Sequence, residues 1–375
     1  MANGNLSKAK NAKNDEFYTQ YHDIEKEINA YLEFDENVFE GKTILLPCDD
    51  PEWSNFTKFF AQNFERLKLK KMISTSYAPE SKNIKNYIPT LFETNDPQFD
   101  KTKTIVNGKI FCLTQDKTGD GRIDVNDLEW TYLEGDGDFR SKEIIKLRDE
   151  ADIIITNPPF SLFREFLAWL IEKEKKFVIV GNKNCVTYKE AFALIKNDKL
   201  WSGRTEWSGG MWFETKNNED IDKVINGVNM KNVSSIWLTN IDHGRRHQPL
   251  PLMTMDDNVK FSKHKELKGK EYQKYYNYDA IEVPFTDAIP NDYKGIMGVP
   301  ISFLDKYSPE QFQIIGLGIS NSGIEIGVQP YKIEHKKYRK EVQKRGAVDG
   351  DLYFVKDGIV EVPYARILIK HKVSQ

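Results

Sequence analysis

The chain has 375 residues, 39% hydrophobic and 12% aromatic, enough to bury a large core in two domains or in one large domain with an appendage. A net charge of −3 excludes a globally basic nucleic-acid binder, so any phosphate-binding surface has to be a local patch. Three scattered cysteines (Cys48, Cys112, Cys185) argue against a disulfide framework or zinc module and fit a reducing, cytoplasmic setting; no apolar run approaches a membrane span, and the polar first residues lack a signal-peptide core.

Residues 1–14 are rich in Lys and Asn and read as a flexible arm. Phe17-Tyr18-Thr19 then precedes a helical pattern through Ile24, Ile28 and Leu32. Residues 42–48 read as a strand that ends at Asp49-Asp50-Pro51-Glu52, and Trp53, Phe56, Phe59, Phe60 and Phe64 form the next helical stripe. Residues 70–77 are a second strand, which makes a β-α-β unit and predicts a parallel sheet.

Residues 78–132 read as an insertion. Within it, 105–113 with Asn107-Gly108 predicts a hairpin. Asp116, Thr118, Asp120, Asp124 and Asp127, with Gly121 at the sixth position, have the spacing of an EF-hand calcium loop. Thr at the third position and Asp at the twelfth depart from that pattern, and a plain Asp-Gly turn is the competing reading. Gly135-Asp136-Gly137-Asp138-Phe139 is a loop whose glycines allow close backbone approach.

The β-branched run Ile153-Ile154-Ile155-Thr156 predicts a buried strand that stops at Asn157-Pro158-Pro159-Phe160. Ser161 reads as the N-cap of a helix carrying Leu162, Phe163, Phe166, Leu167 and Leu170. Ligands of open α/β sheets bind at that end of the strands. Strands follow at 177–182 and 234–240, with a helix at 188–195 and a Trp/Gly-rich segment at 201–213 that ends in a strand. The character then changes. Arg245 and Arg246 lie in a basic turn, and the run 332–345 brings Lys336, Lys337, Arg339 and Lys340 among aromatic residues, which suits phosphate contact. A final strand at 364–370 predicts that this part is folded. The resulting division is an arm at 1–14, a first domain at 15–245 and a region of different character at 246–375.

The tetrapeptide at 157–160 suits one kind of chemistry. The exocyclic amine of adenine is a poor nucleophile because its lone pair is delocalised into the ring. Two acceptors, the Asn157 side-chain oxygen and the Pro158 carbonyl, would draw that nitrogen toward tetrahedral geometry. Pro158 and Pro159 stiffen the turn and offer no competing N–H. Phe160 would stack on a base, which has to leave a duplex to reach such a pocket.

Asn157-Pro158-Pro159-Phe160 resembles the catalytic motif of amino-group methyltransferases that use S-adenosylmethionine (AdoMet). With residues 46–56 (LPCDDPEWSNF) followed by an aromatic helix and residues 74–77 (STSY), and the order of the remaining motifs, the chain resembles the EcoRI-type adenine-specific DNA methyltransferases. That resemblance implies an α/β, Rossmann-like methyltransferase sheet with helices on both faces, an inserted hairpin region and a C-terminal α+β target-recognition region. It further implies that Phe17, Tyr18 and Thr19 contact the methionine carboxylate of AdoMet. Pro47, Cys48, Asp49 and Asp50 would occupy the place of the usual cofactor loop. Asp136 or Asp138 would accept from the cofactor's adenine amine, with Phe139 on its ring. The partners implied are double-stranded DNA and a cognate restriction endonuclease, and no metal is required. The departure is the cofactor loop, since no glycine lies between Gly41 and Gly108. Methyl transfer to RNA adenine or to a protein glutamine amide remains an alternative at this point. So does a catalytically silent DNA-binding or calcium-binding protein.

Overall fold

The computed structural model describes residues 18–47, 49, 54–78, 94, 96–215 and 221–372, with backbone alone at Tyr18. The arm at 1–14 and most of 78–93 lie outside the described residues. The described chain divides into two units, one holding residues up to 183 and 202–243, the other 184–201 and 244 onward.

The first unit is built on an eight-stranded sheet. Its order across the sheet is Glu129–Tyr132, Lys109–Leu113, Lys71–Ser76, Thr43–Leu46, Ile153–Thr156, Lys176–Asn182, Ser235–Thr239, Trp201–Ser202. The four middle strands, from Lys71–Ser76 to Lys176–Asn182, are parallel. Antiparallel strands flank them on both sides. Strand alternation explains the two buried faces. Ile44, Leu46, Ile153, Ile155, Val178 and Val180 share one core with Ile24, Ile28 and Tyr31 of helix Tyr21–Phe34 and with Phe56, Phe59 and Phe60 of helix Asn55–Gln62. Leu45, Ile154 and Ile179 point the other way and are equally buried. Helices Lys142–Glu150 and Phe163–Ile171 contact the sheet. They are pinned together by the buried Arg148, whose guanidinium donates to the Trp169 carbonyl and to Glu172 at 2.8 Å each. This is consistent with the expected Rossmann-like sheet, parallel in its centre and antiparallel at its edges.

Two local expectations fail. No hairpin turns at Asn107-Gly108: Lys101–Val106 is a helix, because Asp100 caps it by accepting from the N–H groups of Thr102 and Lys103. Lys109–Leu113 pairs instead with Lys71–Ser76 and Glu129–Tyr132, so this part of the expected insertion extends the main sheet. Nor does Ser161 cap a helix. Phe160–Leu162 form a 3-10 turn, and the α-helix starts at Phe163 with no side-chain cap.

The second unit has a four-stranded sheet in the order Ala280–Glu282, Ile296–Pro300, Arg366–His371, Phe312–Gly318 and a two-stranded hairpin, Phe354–Lys356 with Ile359–Glu361. Helix Lys189–Lys196 belongs to this unit, and Lys189 bonds Glu325 at 2.6 Å. Glu282, nearly buried, is held bidentately by Arg366 and also accepts from the Tyr275 hydroxyl. Among the described residues no helix is long and apolar enough to cross a membrane.

At Gly137 close approach of the backbone requires a glycine. Gly137 has φ +88°, and a Cβ there would drive into the Ser76 carbonyl oxygen. The approach lets the Asp136 carbonyl accept from the Ala78 N–H at 2.8 Å, joining loop 134–138 to the end of strand Lys71–Ser76. Gly137→Ala is expected to destabilise the first unit by about 1–3 kcal/mol, measured by urea denaturation.

Candidate active site

The two middle strands Thr43–Leu46 and Ile153–Thr156 are neighbours in register, Ile44 opposite Ile153 and Leu45 opposite Ile154. Both end at the same edge, the first in Pro47 and the second in Asn157-Pro158-Pro159. Proline ends each ladder because it has no N–H to give. Pro158 is buried, while Asn157, Pro159 and Phe160 are half-buried. The Asn157 side-chain oxygen is itself shielded from solvent. Phe160 packs against the core shared by the sheet and the first two helices. The four residues expected to act on the acceptor thus form one short, stiff rim at the carboxyl end of the sheet.

Where the usual cofactor loop has glycine, this chain has hydroxyls. Asp49 is buried and accepts from Ser54 Oγ at 2.8 Å and from Thr156 Oγ1 at 2.6 Å. Its backbone carbonyl accepts from Thr57 Oγ1 at 3.1 Å and from Ser74 Oγ. Ser54 in turn caps helix Asn55–Gln62 by accepting from the Phe56 N–H at 3.1 Å. Residue types alone gave little sign of this cluster, because Ser54, Thr57, Ser74 and Thr156 come from three separate elements or their edges. The one sequence signal was Thr at the end of an otherwise all-Ile strand.

The expected cofactor contacts are placed as follows. Phe17, Cys48 and Asp50 lie outside the described residues. Tyr18–Thr19 is a two-residue strand paired with Met211–Glu214, and the Thr19 carbonyl accepts from Asn55 at the start of helix Asn55–Gln62. Thr19 Oγ1 is buried and meets no hydrogen-bond partner among the described residues, which fits a polar ligand group at this point. Asp136 is half-buried and its carboxylate accepts from the Asp138 N–H at 3.1 Å. Asp138 is committed to Arg140, through the guanidinium and the backbone N–H. Burial pushes the Asp138 carboxyl up, but those Arg140 bonds outweigh it and hold the group below its usual range. Arg140 also reaches Glu165 at 2.9 Å, so Asp138 is a strut to helix Phe163–Ile171. Phe139 is fully buried, edge-on to Phe166 and Trp169, with Arg140 over its face. Its expected role against a cofactor ring gives way to a role in the core, because the aromatic helix behind the motif supplies a closer partner.

The expected phosphate contacts are largely structural. Arg246 is 7% exposed, lies over the Trp201 ring at 3.7 Å and pairs with Asp198. Arg245 pairs with Asp305 at 2.9 Å. Arg339 is buried and donates to Gly346 O and Gln343 Oε1, and Lys336 pairs with Asp349 at 2.7 Å. Lys337 and Lys340 are exposed on helix Ile333–Glu341 and remain available to phosphate. Burial raises the thiols of Cys112 and Cys185, which suits structural cysteines and not nucleophiles.

Comparison with known proteins places nearly the whole chain in a family. A family model described as "Adenine-specific methyltransferase EcoRI" matches residues 5–372. The Type II methyltransferase M.EcoRI of Escherichia coli is 39% identical over 99% of this chain and 97% of its own length. The Type II methyltransferase M.MpnI of Mycoplasma pneumoniae is 33% identical over 83% of this chain and 84% of its own. No solved structure matches.

The loop at 116–127 satisfies its carboxylates internally. Asp127 accepts from the N–H groups of Lys117, Thr118 and Asp124 at 2.9 Å each, and Asp116 accepts from Gly119 and Gly121. Asp120 and Asp124 accept from the N–H two residues on. No group of three or more His, Cys, Asp or Glu among the described residues could hold a metal ion, so the calcium reading yields to the Asp-Gly turn. Backbone hydrogen bonds lower the Asp127 carboxyl from 3.8 to about 2. The stability this contributes is full above the unfolded value near 3.8 and is lost as pH falls toward about 2. Asp127→Asn should remove that part of the acid dependence, read from thermal melts between those pH values. Added calcium should leave the melting temperature unchanged.

Proposed function

The chain belongs to the EcoRI family of adenine-specific methyltransferases, and we propose that it transfers a methyl group from AdoMet to N6 of an adenine turned out of duplex DNA, with Asn157, Pro158, Pro159 and Phe160 as the acceptor site. It is an adenine-specific DNA methyltransferase of the Type II kind. The observation that carries the site is the stiff Asn-Pro-Pro-Phe rim at the carboxyl end of strand Ile153–Thr156, beside the end of strand Thr43–Leu46.

AdoMet, when bound, supplies an electrophilic methyl group. Residues Thr19, Pro47 and Asp136 and the capped start of helix Asn55–Gln62 would hold it. The buried Thr19 hydroxyl and the helix N-terminus suit its polar, carboxylate-bearing end. Asn157 Oδ1 and the Pro158 carbonyl accept from the two N–H groups of the target amine. That draws its lone pair out of the ring, where it is nucleophilic, and stabilises the positive charge that develops on nitrogen. Phe160 covers the flat face of the base, and the two prolines hold both acceptors in place without an N–H that would compete for them. This chemistry requires no metal and no covalent enzyme intermediate. The unit from residue 244 onward, with exposed Lys337 and Lys340, would read the DNA target. The Type II names of the relatives support pairing with a restriction endonuclease.

Labelled methyl transfer to duplex DNA, RNA and protein offered in parallel should go to DNA alone. Asn157→Ala, folded and still binding AdoMet, should lose turnover by about 10²–10³-fold. Unchanged turnover in that variant would contradict the assignment.

A further inference from the structure

Thr156 is the last residue of the strand that delivers Asn157. It is fully buried, and its hydroxyl lies 2.7 Å from the Pro47 carbonyl oxygen and 2.6 Å from Asp49 Oδ2. A hydroxyl has one proton to give, so the two acceptors share it. The location explains the need for it. The parallel ladder pairs Ile44 with Ile153 and Leu45 with Ile154, then reaches Pro47, which has no N–H. Beyond those pairs the Thr156 side chain donates to the Pro47 carbonyl and ties the two strand ends together. Asp49 extends the tie, because its other oxygen accepts from Ser54 Oγ, and Ser54 caps helix Asn55–Gln62. A continuous chain of hydrogen bonds therefore runs from the residue before Asn157 to the helix start on the proposed cofactor side.

We infer that Thr156 is a positioning residue for methyl transfer. Its hydroxyl fixes where Asn157 stands relative to Pro47 and Asp49, and so the alignment of acceptor with donor. The inference rests on the function proposed above. Side-chain hydroxyls of Ser54 and Thr156 donating to one buried carboxylate hold Asp49 in place. Asp49 then acts through Thr156 and Ser54, and not by touching the cofactor.

The test separates position from stability. Thr156→Val keeps the shape and removes the donor; Thr156→Ser keeps the donor. With saturating AdoMet and cognate DNA, Thr156→Val should lower kcat per folded molecule on the order of 10- to 100-fold, with KM for DNA little changed. Thr156→Ser should recover most of that loss, and Ser54→Ala should fall between. Wild-type kcat in folded Thr156→Val, or an equal defect in Thr156→Ser, would overturn the inference. If Thr156→Val does not fold, wild-type kcat in Ser54→Ala overturns it, and a kcat loss there at unchanged AdoMet affinity supports it. Asn157→Ala is assayed alongside. Its loss of turnover together with an unaffected Thr156→Val sinks this inference alone, whereas an active Asn157→Ala sinks the proposed site itself.

Discussion

Two neighbouring parallel strands each lose a backbone donor at their carboxyl ends, one at Pro47 and the other at Pro158. Everything at the site follows from that constraint. A sheet buried on both faces has to satisfy its polar groups internally. Where the ladder fails, the Thr156 hydroxyl takes over, and Asp49, Ser54, Thr57 and Ser74 close the gap with side-chain bonds. The same prolines that interrupt the ladder bring no N–H at 158 or 159 to compete for the Asn157 and Pro158 oxygens. Rigidity at this edge comes from the core beneath it, where Ile153, Ile155 and Trp237 pack with the aromatic face of helix Asn55–Gln62.

The central architecture was legible because its signals are local. Four consecutive β-branched residues ending in Asn-Pro-Pro predict the strand Ile153–Thr156 to the residue, and the aromatic stripe from Phe56 to Phe64 predicts the helix after Pro47. What was not legible depends on partners distant in sequence. The basic pair Arg245-Arg246 resembles a phosphate contact until Trp201, Asp198 and Asp305 are folded against it. Arg339 sits in a run of lysines, yet its guanidinium turns inward to Gly346 and Gln343. Phe139 lies beside two acids, as a ring-stacking residue would, but Phe166 and Trp169 bury it. The hairpin signal at Asn107-Gly108 lost to a stronger local one, the Asp100 cap.

Charge at the site is arranged by neutralisation. Asp138 is tied to Arg140 and Arg140 to Glu165, which stiffens the loop next to strand Lys71–Ser76. Asp127 and Asp116 spend their lone pairs on backbone N–H groups and order a loop that would otherwise repel itself. Carboxylates bound in this way are structural.

The most direct measurement is base-resolution mapping of N6-methyladenine in DNA from cells that express this chain, beside cells that express Asn157→Ala. The account predicts methyl groups at one adenine of one short sequence in the first and none in the second. Unmethylated DNA from the wild-type chain, with the folded protein binding AdoMet, would contradict it, as would the same methyl pattern in both.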